Sequence, residues 1–364
     1  MALKVVIACG GTGGHLFPGI AVAQVLNARG HQTLLLISEK EIDSIAASDH
    51  PELHFEKVPA IGMPPLLSPK VVPFAFRFWK TLRKTKKIVR DFGAHAVLGM
   101  GGFTSLPPAL AGRSIGALTL IHESNAVPGK ANRLTARFCD VVLLGLEACA
   151  THFPGRQCQV VGTPLRSSMR QPVDRAEAHA FFGLQPDRPT LLVMGGSQGA
   201  QGVNRAIVDA LPRIDPSALQ LIHLTGRDDE ATVRDAIARS GHRAFVAAFS
   251  ARLDLAYAIA DLCVARSGAS SLAELSHFGV PSILIPYPAA ADDHQTRNAE
   301  VFTEKGAALL IRQADLPSGA LADIVVDLLN NTGRLQTLRS AMTAAGIPDA
   351  AERIASLIEH QARA

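Results

Sequence analysis

The chain has 364 residues, of which 48% are hydrophobic and 19% are charged, and its formal net charge is +4. This length favours two domains, and the composition is that of a globular protein rather than a disordered or fibrous one. The charge is too small to indicate nucleic acid as a partner, and five scattered cysteines without a Cys-x-x-Cys pair argue against a disulfide framework.

The first predicted element is the strand LKVVIAC, which runs directly into the glycine loop GGTGGHLFP at residues 10–18. Its apolar core is too short for a membrane span, so we interpret it as a strand rather than a signal peptide. Helical stretches separate the next apolar runs, which are HQTLLLIS, AHAVLGMGGF and LTLIHESN. Runs that are apolar throughout are typical of parallel strands buried on both faces.

The same pattern begins again at residues 189–200 with PTLLVMGGSQGA and continues with LQLIHLTG, ADLCVARSG and VPSILIPYP. Strand–helix alternation in both halves predicts an α/β fold of two Rossmann-like, doubly wound domains. We place the first domain at residues 1–162 and the second at 163–342. A C-terminal helix at about residues 343–364 is expected to pack back on the first domain.

Three glycine-rich stretches are each expected at the carboxyl end of a strand. GGTGGH lacks both the Lys-Ser/Thr of a Walker loop and the third glycine of the dinucleotide fingerprint, but its strand–turn–helix context is that of an anion site. GGSQGA repeats the arrangement, and GMGGFTS at residues 99–105 is the third stretch. A tight turn is the alternative for any one loop, whereas three loops predict a cleft for more than one phosphorylated group.

Three ionisable residues stand out beside these loops. His15 is the first candidate for a general base, because an imidazole pKa of about 6.5 suits proton removal near neutrality. Glu123, in the HESN motif, is the second candidate, and for both residues a purely structural hydrogen bond remains an alternative. Glu274, in RSGASSLAE, could accept hydrogen bonds from two ribose hydroxyls, with a solvated helix face as the alternative.

Neither an Asp-x-Asp motif nor a His/Cys cluster with the spacing of metal ligands occurs in the sequence. If a diphosphate is the leaving group of a reaction in this cleft, its negative charge would therefore be stabilised by backbone amides, helix dipoles and Arg166 rather than by a divalent cation.

Residues 64–90 form a basic and aromatic segment, with eight basic residues and no acidic one from Lys70 to Arg90. Hydrophobic residues at helical spacing predict an amphipathic helix. A solvated helix, a helix on an anionic membrane surface and a nucleic-acid contact all remain open. The membrane interpretation assigns insertion to the loop Leu66–Phe76 and assigns membrane contacts to Phe74, Phe76, Trp79, Lys80 and Arg83.

Seven motifs follow one another in the order GGTGGH, GMGGF, HESN, GTPLR, GGSQGA, RSGASSLAE and DDHQTRNA. In order and spacing they resemble those of the bacterial peptidoglycan glycosyltransferases that form lipid II. The resemblance implies a GT-B fold, in which two Rossmann-like domains face each other across a cleft. It also implies inverting transfer of N-acetylglucosamine from UDP-N-acetylglucosamine to the 4-hydroxyl of undecaprenyl-diphospho-N-acetylmuramyl-pentapeptide (lipid I).

The resemblance assigns binding roles to residues in the matching motifs. Donor contacts from the first domain would come from Thr12, Gly13, Gly14 and Asn125. Donor contacts from the second would come from Arg166, Ser197, Ser250, Ala269, Ser270, Ser271, Leu272, Ala273, Glu274 and Gln295. The acceptor diphosphate would face Gly101, Gly102 and Thr104. The sequence departs from the family pattern at Phe103 and Ser124, where Tyr and Gln are common.

The resemblance implies no cofactor and no metal, and peripheral attachment to the cytoplasmic face of the bacterial inner membrane. The implied partners are anionic phospholipid, lipid I and other cell-wall or division proteins, but not nucleic acid. Two other function classes remain open from the residues alone. A nicotinamide-dependent oxidoreductase would use Glu39 to bind a ribose, although the dinucleotide fingerprint is incomplete. A non-catalytic nucleotide-binding module would use the same loops.

Overall fold

A computed structural model describes residues 1–59, 71–196, 199–316 and 320–362. The chain forms two α/β units, of which the first comprises Met1–Ser167 and Pro348–Ala364 and the second Ser168–Ile347. Each unit is built around one parallel sheet, which confirms the expected pair of Rossmann-like domains.

The first unit alternates strands and helices, and its buried strands explain the continuous apolar runs of the sequence. In chain order its elements are β1 (Lys4–Ala8), α1 (Gly13–Ala28), β2 (Gln32–Ile37), α2 (Glu41–Asp49), β3 (Phe55–Lys57), α3 (Val71–Phe92), β4 (Ala96–Gly99), α4 (Leu106–Arg113), β5 (Leu118–Glu123), α5 (Lys130–Ala136), β6 (Val141–Leu144) and β7 (Gln157–Val160). The strand order is β3-β2-β1-β4-β5-β6-β7, and every pairing is parallel.

The second unit repeats this design with six strands. Its elements are α6 (Arg175–Phe182), β8 (Thr190–Met194), α7 (Gln201–Ala210), β9 (Gln220–Leu224), α8 (Glu230–Ser240), β10 (Ala244–Ala247), α9 (Leu253–Ile259), β11 (Leu262–Ala265), α10 (Ala269–Phe278), β12 (Ser282–Leu284), α11 (His294–Glu304), β13 (Ala308–Leu310), α12 (Ala320–Asn330) and α13 (Thr332–Ala345). The strand order is β10-β9-β8-β11-β12-β13.

In both sheets the strand order reverses next to the first strand of the unit. The chain goes from β1 to β2 on one side and reaches β4 on the other, and β8 stands in the same relation to β9 and β11. The loops that leave the two central strands therefore diverge at the carboxyl edge of the sheet. This switch point is where doubly wound sheets bind their ligands.

The last helix, α14 (Ala350–Gln361), belongs to the first unit. Its buried residues Ile354 and Ile358 join the same core as Leu26 of α1. At its end, Glu359 accepts a hydrogen bond from Nε2 of the buried His31 at 2.7 Å and forms an ion pair with Arg29 at 3.0 Å. Leu3 donates its amide to Nδ1 of His31, which fixes the proton on Nε2.

Glu359→Gln is expected to lower the free energy of unfolding by about 1–2 kcal/mol at pH 7, because it removes a charged hydrogen-bond acceptor. The hydrogen bond from His31 holds the pKa of Glu359 below its ordinary value of 4.5. A depressed pKa in the folded state contributes stability above the unfolded pKa that is lost as the pH falls. Urea unfolding should therefore show a difference at pH 7 that shrinks below pH 4.5.

The exposed Glu147 provides the matched control, and Glu147→Gln should change the unfolding curve little at either pH. A loss for Glu359→Gln that is the same at both pH values would contradict the electrostatic explanation.

Candidate functional site

At the switch point of the first sheet, the loop after β1 and the loop after β4 lie against each other. Thr104 donates its hydroxyl to the backbone oxygen of Gly10 at 3.0 Å. His15, in the first turn of α1, lies beside Gly101, where an added Cβ atom would sit 2.8 Å from the ring Nε2. Gly101 also has a φ of +121°, which a side chain rarely adopts. The candidate base and the predicted acceptor loop are therefore in direct contact.

The imidazole of His15 is kept neutral by its surroundings. Burial lowers its pKa to about 4, while Asp43 acts in the opposite direction and Lys40 lowers the pKa further. Its Nδ1 lies 3.2 Å from the hydroxyl oxygen of Thr12. When Nδ1 carries the proton and donates it to Thr12, Nε2 is left as the proton acceptor on the side of Gly101.

Two residues from the beginning of α2 hold the first glycine loop, and no sequence motif marks either of them. Oδ2 of the buried Asp43 accepts hydrogen bonds from the amide of Gly11 at 3.0 Å and from the amide and hydroxyl of Ser38 at 2.8 and 2.5 Å. Lys40 donates from Nζ to the backbone oxygen of Gly11 at 2.7 Å. The Gly11 amide is therefore engaged within the protein. The anion-binding capacity of the loop rests on the amide groups that open α1.

Glu123 is buried and holds the end of β5 in place. Its Oε1 accepts from the backbone and side-chain nitrogens of Asn125 at 2.9 and 3.0 Å. Its Oε2 accepts from the amide of Gly129 at 3.1 Å and from Nδ2 of Asn132 at 2.8 Å. Asn132 in turn accepts a hydrogen bond from the amide of Gly102 at 3.1 Å. This geometry favours an anchoring role for Glu123 over a role as general base.

Asn132 was missed because it lies in an ordinary helical stretch with no motif of its own. Its side chain connects two predicted sites, since Nδ2 donates to Glu123 beside Asn125 and to the backbone oxygen of His122, and Oδ1 accepts from the amide of Gly102. The carboxyl ends of β4 and β5 are thereby fixed to each other.

Arg166 was expected in the second domain, but it belongs to the first unit. Its guanidinium carbon lies 5.0 Å from the centre of the ring of Phe17, one turn into α1. Stacking of the cation on an aromatic ring gives the physical reason for this placement. The charge of Arg166 therefore lies beside the helix whose first residues are Gly13 and Gly14.

In the second unit, the turn between β11 and α10 is open to an anion. Gly268 precedes the helix without a side-chain cap, and the first turn of α10 contains no acidic residue. The amide groups and the positive end of the helix dipole are therefore available to an anionic ligand. Of the predicted donor contacts, Ala269, Ser270, Ser271 and Ala273 are partly exposed, whereas Leu272 is buried.

Glu274 lies one turn farther along α10, and it is buried rather than on a solvated helix face. Its Oε2 accepts a hydrogen bond from the hydroxyl of Tyr257 at 2.9 Å, and the same hydroxyl lies 3.3 Å from the sulfur of Met194 at the end of β8. The carboxylate therefore lies at the switch point of the second sheet, and the solvated-face alternative is wrong.

Gln295 connects the first turn of α11 to the neighbouring loops. Its Oε1 accepts from the amide of Tyr287 at 2.9 Å, and its backbone oxygen accepts from the hydroxyl of Ser267 at 2.7 Å. Asp292 and Asp293, immediately before α11, both have a φ of +51°. Non-glycine residues in this region are strained and are concentrated at functional sites.

The loop after β10 carries Ser250, whose hydroxyl oxygen accepts from the amide of Arg252 at 3.1 Å. Beside it, the large apolar side chain of Phe249 is 69% exposed. An exposed aromatic ring offers a stacking surface for a nucleobase. No sequence motif distinguishes Phe249, because it is one Phe within an apolar stretch. Ser197 and the segment Leu66–Lys70 lie outside the described residues.

Helix α3 presents an aromatic and basic face to solvent. Phe76 is 67% exposed and Trp79 is 51% exposed, and Lys80 and Arg83 are exposed beside them. The guanidinium carbon of Arg83 lies 4.6 Å from the centre of the Trp79 ring. No helix in the described part of the chain is long and apolar enough to cross a membrane.

Phe74 does not belong to this face, which corrects the prediction. Residues two positions apart in an α-helix lie about 200° apart around its axis, so Phe74 and Phe76 point in nearly opposite directions. The Phe74 ring packs against Phe103 at 5.5 Å and against Phe78 at 6.1 Å between ring centres. Phe103 directly follows Gly102, so the inner face of α3 packs on the predicted acceptor loop.

The described residues contain no group of three or more His, Cys, Asp or Glu side chains that could hold a metal ion.

Two family models match the chain, the glycosyltransferase family 28 N-terminal domain over residues 5–144 and the C-terminal domain over residues 190–354. Among similar proteins is the UDP-N-acetylglucosamine–N-acetylmuramyl-(pentapeptide) pyrophosphoryl-undecaprenol N-acetylglucosamine transferase of Citrifermentans bemidjiense, 36% identical over 97% of this chain and 98% of its own. The protein of the same name from Xanthomonas axonopodis pv. citri is 38% identical over 98% of this chain and 82% of its own.

Solved structures show the same similarity. Acinetobacter baumannii MurG is 28% identical, with a TM-score of 0.78 over 99% of this chain and 100% of its own. The kitacinnamycin glycosyltransferase is 17% identical, with a TM-score of 0.71 over 99% of both chains, and this likeness shows the fold alone. Together with the two parallel sheets, these similarities confirm the GT-B fold.

Gly101→Ala is expected to displace the ring of His15, because a methyl group would lie 2.8 Å from Nε2. Displacement into solvent should move the pKa of His15 from about 4 toward its ordinary value of 6.5, as measured by NMR titration of the ring. Gly116→Ala is the matched control, because Gly116 also has a positive φ but has open space where the Cβ would lie. An unchanged pKa in a folded Gly101→Ala protein would contradict the contact.

Proposed function

The chain belongs to the family of UDP-N-acetylglucosamine–N-acetylmuramyl-(pentapeptide) pyrophosphoryl-undecaprenol N-acetylglucosamine transferases, and we propose the chemistry of its reaction from that premise. The reaction transfers N-acetylglucosamine from UDP-N-acetylglucosamine to the 4-hydroxyl of lipid I, giving lipid II and UDP. The observation that carries the mechanism is the contact of a neutral His15 with the loop of Gly101. The comparisons do not support the oxidoreductase or binding-module alternatives.

We propose that the donor nucleotide binds at the carboxyl edge of the second sheet. The uracil stacks on Phe249 beside Ser250, and the carboxylate of Glu274 accepts hydrogen bonds from the ribose hydroxyls. The diphosphate binds the amides at the start of α10, and Gln295 contacts the sugar hydroxyls. In support, Glu274 lies at the switch point of its sheet, and Gln295 is fixed by its own hydrogen bonds.

The acceptor binds at the carboxyl edge of the first sheet, with its diphosphate at Gly101, Gly102 and Thr104. Nε2 of His15 takes the proton of the 4-hydroxyl as this oxygen attacks the anomeric carbon and UDP departs. A single displacement inverts the anomeric centre and needs one base and one stabilised leaving group, as in inverting glycosidases. Thr12 accepts from Nδ1 of His15 when that nitrogen carries the proton, and Glu123 orients Asn125 through two hydrogen bonds.

We propose that UDP leaves without a metal ion. The growing charge on the departing diphosphate would be stabilised by the amides and dipole of α10. Transfer of N-acetylglucosamine should therefore continue when a chelator removes divalent cations.

We also propose that the protein binds peripherally to the cytoplasmic face of the bacterial inner membrane through the exposed face of α3. Phe76 and Trp79 would enter the interface, and Lys80 and Arg83 would attract anionic head groups. The lipid-linked acceptor supports this proposal, because membrane binding would concentrate the protein at the surface where the acceptor lies. Association with other cell-wall or division proteins stays a prediction.

Purified protein should transfer labelled N-acetylglucosamine from UDP-N-acetylglucosamine to a water-soluble lipid I analogue. His15→Ala should lower kcat by roughly 10²–10⁴, the usual contribution of a general base, while UDP affinity is retained. Because the base must be neutral, kcat/KM of the wild type should rise with pH through about 4 and then level off on this limb. Near-normal turnover of His15→Ala would exclude His15 as the base, and His50→Ala, at the partly exposed residue directly after α2, is the control.

Trp79 is the only tryptophan of the chain, so its fluorescence reports directly on the proposed membrane face. Vesicles containing anionic phospholipid should shift its emission to shorter wavelength, because the indole leaves water. The shift should weaken in high salt, which screens the basic residues, and in the double variant Lys80→Ala, Arg83→Ala. Uncharged vesicles are the control, and an emission maximum unaffected by anionic vesicles would contradict this membrane face.

A further inference from the structure

Lys40 places a positive charge on the rim of the first glycine loop. Its ammonium lies 2.7 Å from the backbone oxygen of Gly11, and the side chain is exposed. It is also close enough to His15 to lower the pKa of the imidazole. Because a lysine side chain is long and flexible, its ammonium can leave a solvent-exposed carbonyl for a stronger partner.

Two charged groups act on the imidazole of His15, and they act with opposite sign. Asp43 on α2 is the neighbouring carboxylate, but three donors already share its Oδ2. His122 on β5 is buried, and burial lowers its pKa to about 4, so it is neutral. The first turn of α1 contains no acidic residue, and the loop at residues 100–105 contains no charged one. Among the charged groups that act on His15, Lys40 is therefore the cation with which an anion at this edge of the sheet could pair.

We propose that Lys40 binds the diphosphate of the lipid-linked acceptor and is a specificity-determining residue for that substrate. This inference rests on the proposed function. The acceptor is favoured over the donor because Lys40 contacts the loop that Thr104 joins to Gly101 and Gly102, where the acceptor diphosphate is placed. The donor diphosphate has its own amides at the start of α10, in the other unit.

Binding of the acceptor would also activate the base. A diphosphate paired with Lys40 neutralises the cation and brings negative charge toward His15. Both effects favour the protonated imidazole, so the pKa of His15 rises toward neutrality when the acceptor is bound. His15 is then a stronger base in the complex than in the free protein, and the acceptor itself supplies the change.

The test compares KM values for a water-soluble lipid I analogue and for UDP-N-acetylglucosamine in three variants. Lys40→Met keeps the length of the side chain and removes the charge, and Lys40→Arg keeps the charge. Lys57→Met is the matched control, because Lys57 is exposed on the same unit and contacts Ser44 of α2 but not the glycine loop. A soluble acceptor removes any contribution of membrane binding.

Lys40→Met should raise KM for the acceptor roughly tenfold, the effect of one lost charge-assisted contact, and leave KM for the donor within about twofold. Lys40→Arg should stay close to the wild type, and so should Lys57→Met. In Lys40→Met the acidic limb of kcat/KM should move to higher pH, because the cation that lowers the pKa of His15 is gone.

Several results would overturn the inference. A raised KM for the donor would assign Lys40 to the other diphosphate, and an equal effect of Lys57→Met would indicate general surface attraction. Loss of activity in both Lys40 variants with a lowered melting temperature would show that Lys40 only holds the loop. If the wild type transfers no sugar, the proposed function itself fails. If the wild type is active and Lys40→Met has an unchanged acceptor KM, only the role of Lys40 fails.

Discussion

The ring of His15 lies so close to the backbone of Gly101 that no side chain fits between them. This contact requires the loops after β1 and β4 to meet, and they meet because these strands are neighbours in the sheet. It also requires the second loop to be fixed, which the hydrogen bonds of Thr104 to Gly10 and of Gly102 to Asn132 achieve. The imidazole of His15, which is the proposed base, is therefore positioned by strand order and by hydrogen bonds between side chains and the backbone.

The neutral state of His15 affects its ability to act as a base in two opposite ways. Burial keeps His15 unprotonated near neutral pH, so it is always ready to accept a proton, but a pKa of about 4 makes it a weak base in the free protein. Asp43 and Lys40 act on it in opposite directions from one short helix. An anionic substrate that pairs with Lys40 would change this balance, and the strength of the proposed base would then depend on whether the site is occupied.

The sequence predicted the two parallel sheets and the placement of the glycine loops, because continuous apolar runs and strand–glycine–helix order have few structural interpretations. It could not predict that Asn132 joins Gly102 to Glu123, since an asparagine within a helix has no pattern. Nor could it predict that Asp43 accepts the hydrogen bond of the Gly11 amide, because that contact depends on the path of the chain after β2. The sequence likewise could not decide whether Glu123 anchors the loop or acts as a base, because the four hydrogen bonds that its carboxylate accepts depend on the fold.

Helix α3 connects the proposed membrane face to the reacting edge of the sheet within one element. Phe76 and Trp79 face solvent, whereas Phe74 and Phe78 pack on Phe103, which directly follows Gly102. A helix seated on a lipid surface by its outer face would therefore hold the acceptor loop on its inner face at a fixed distance from that surface. Since an α-helix is only about 10 Å thick, the proposed membrane face and the proposed acceptor loop would lie within about one helix diameter of each other, as a diphosphate attached directly to a lipid requires.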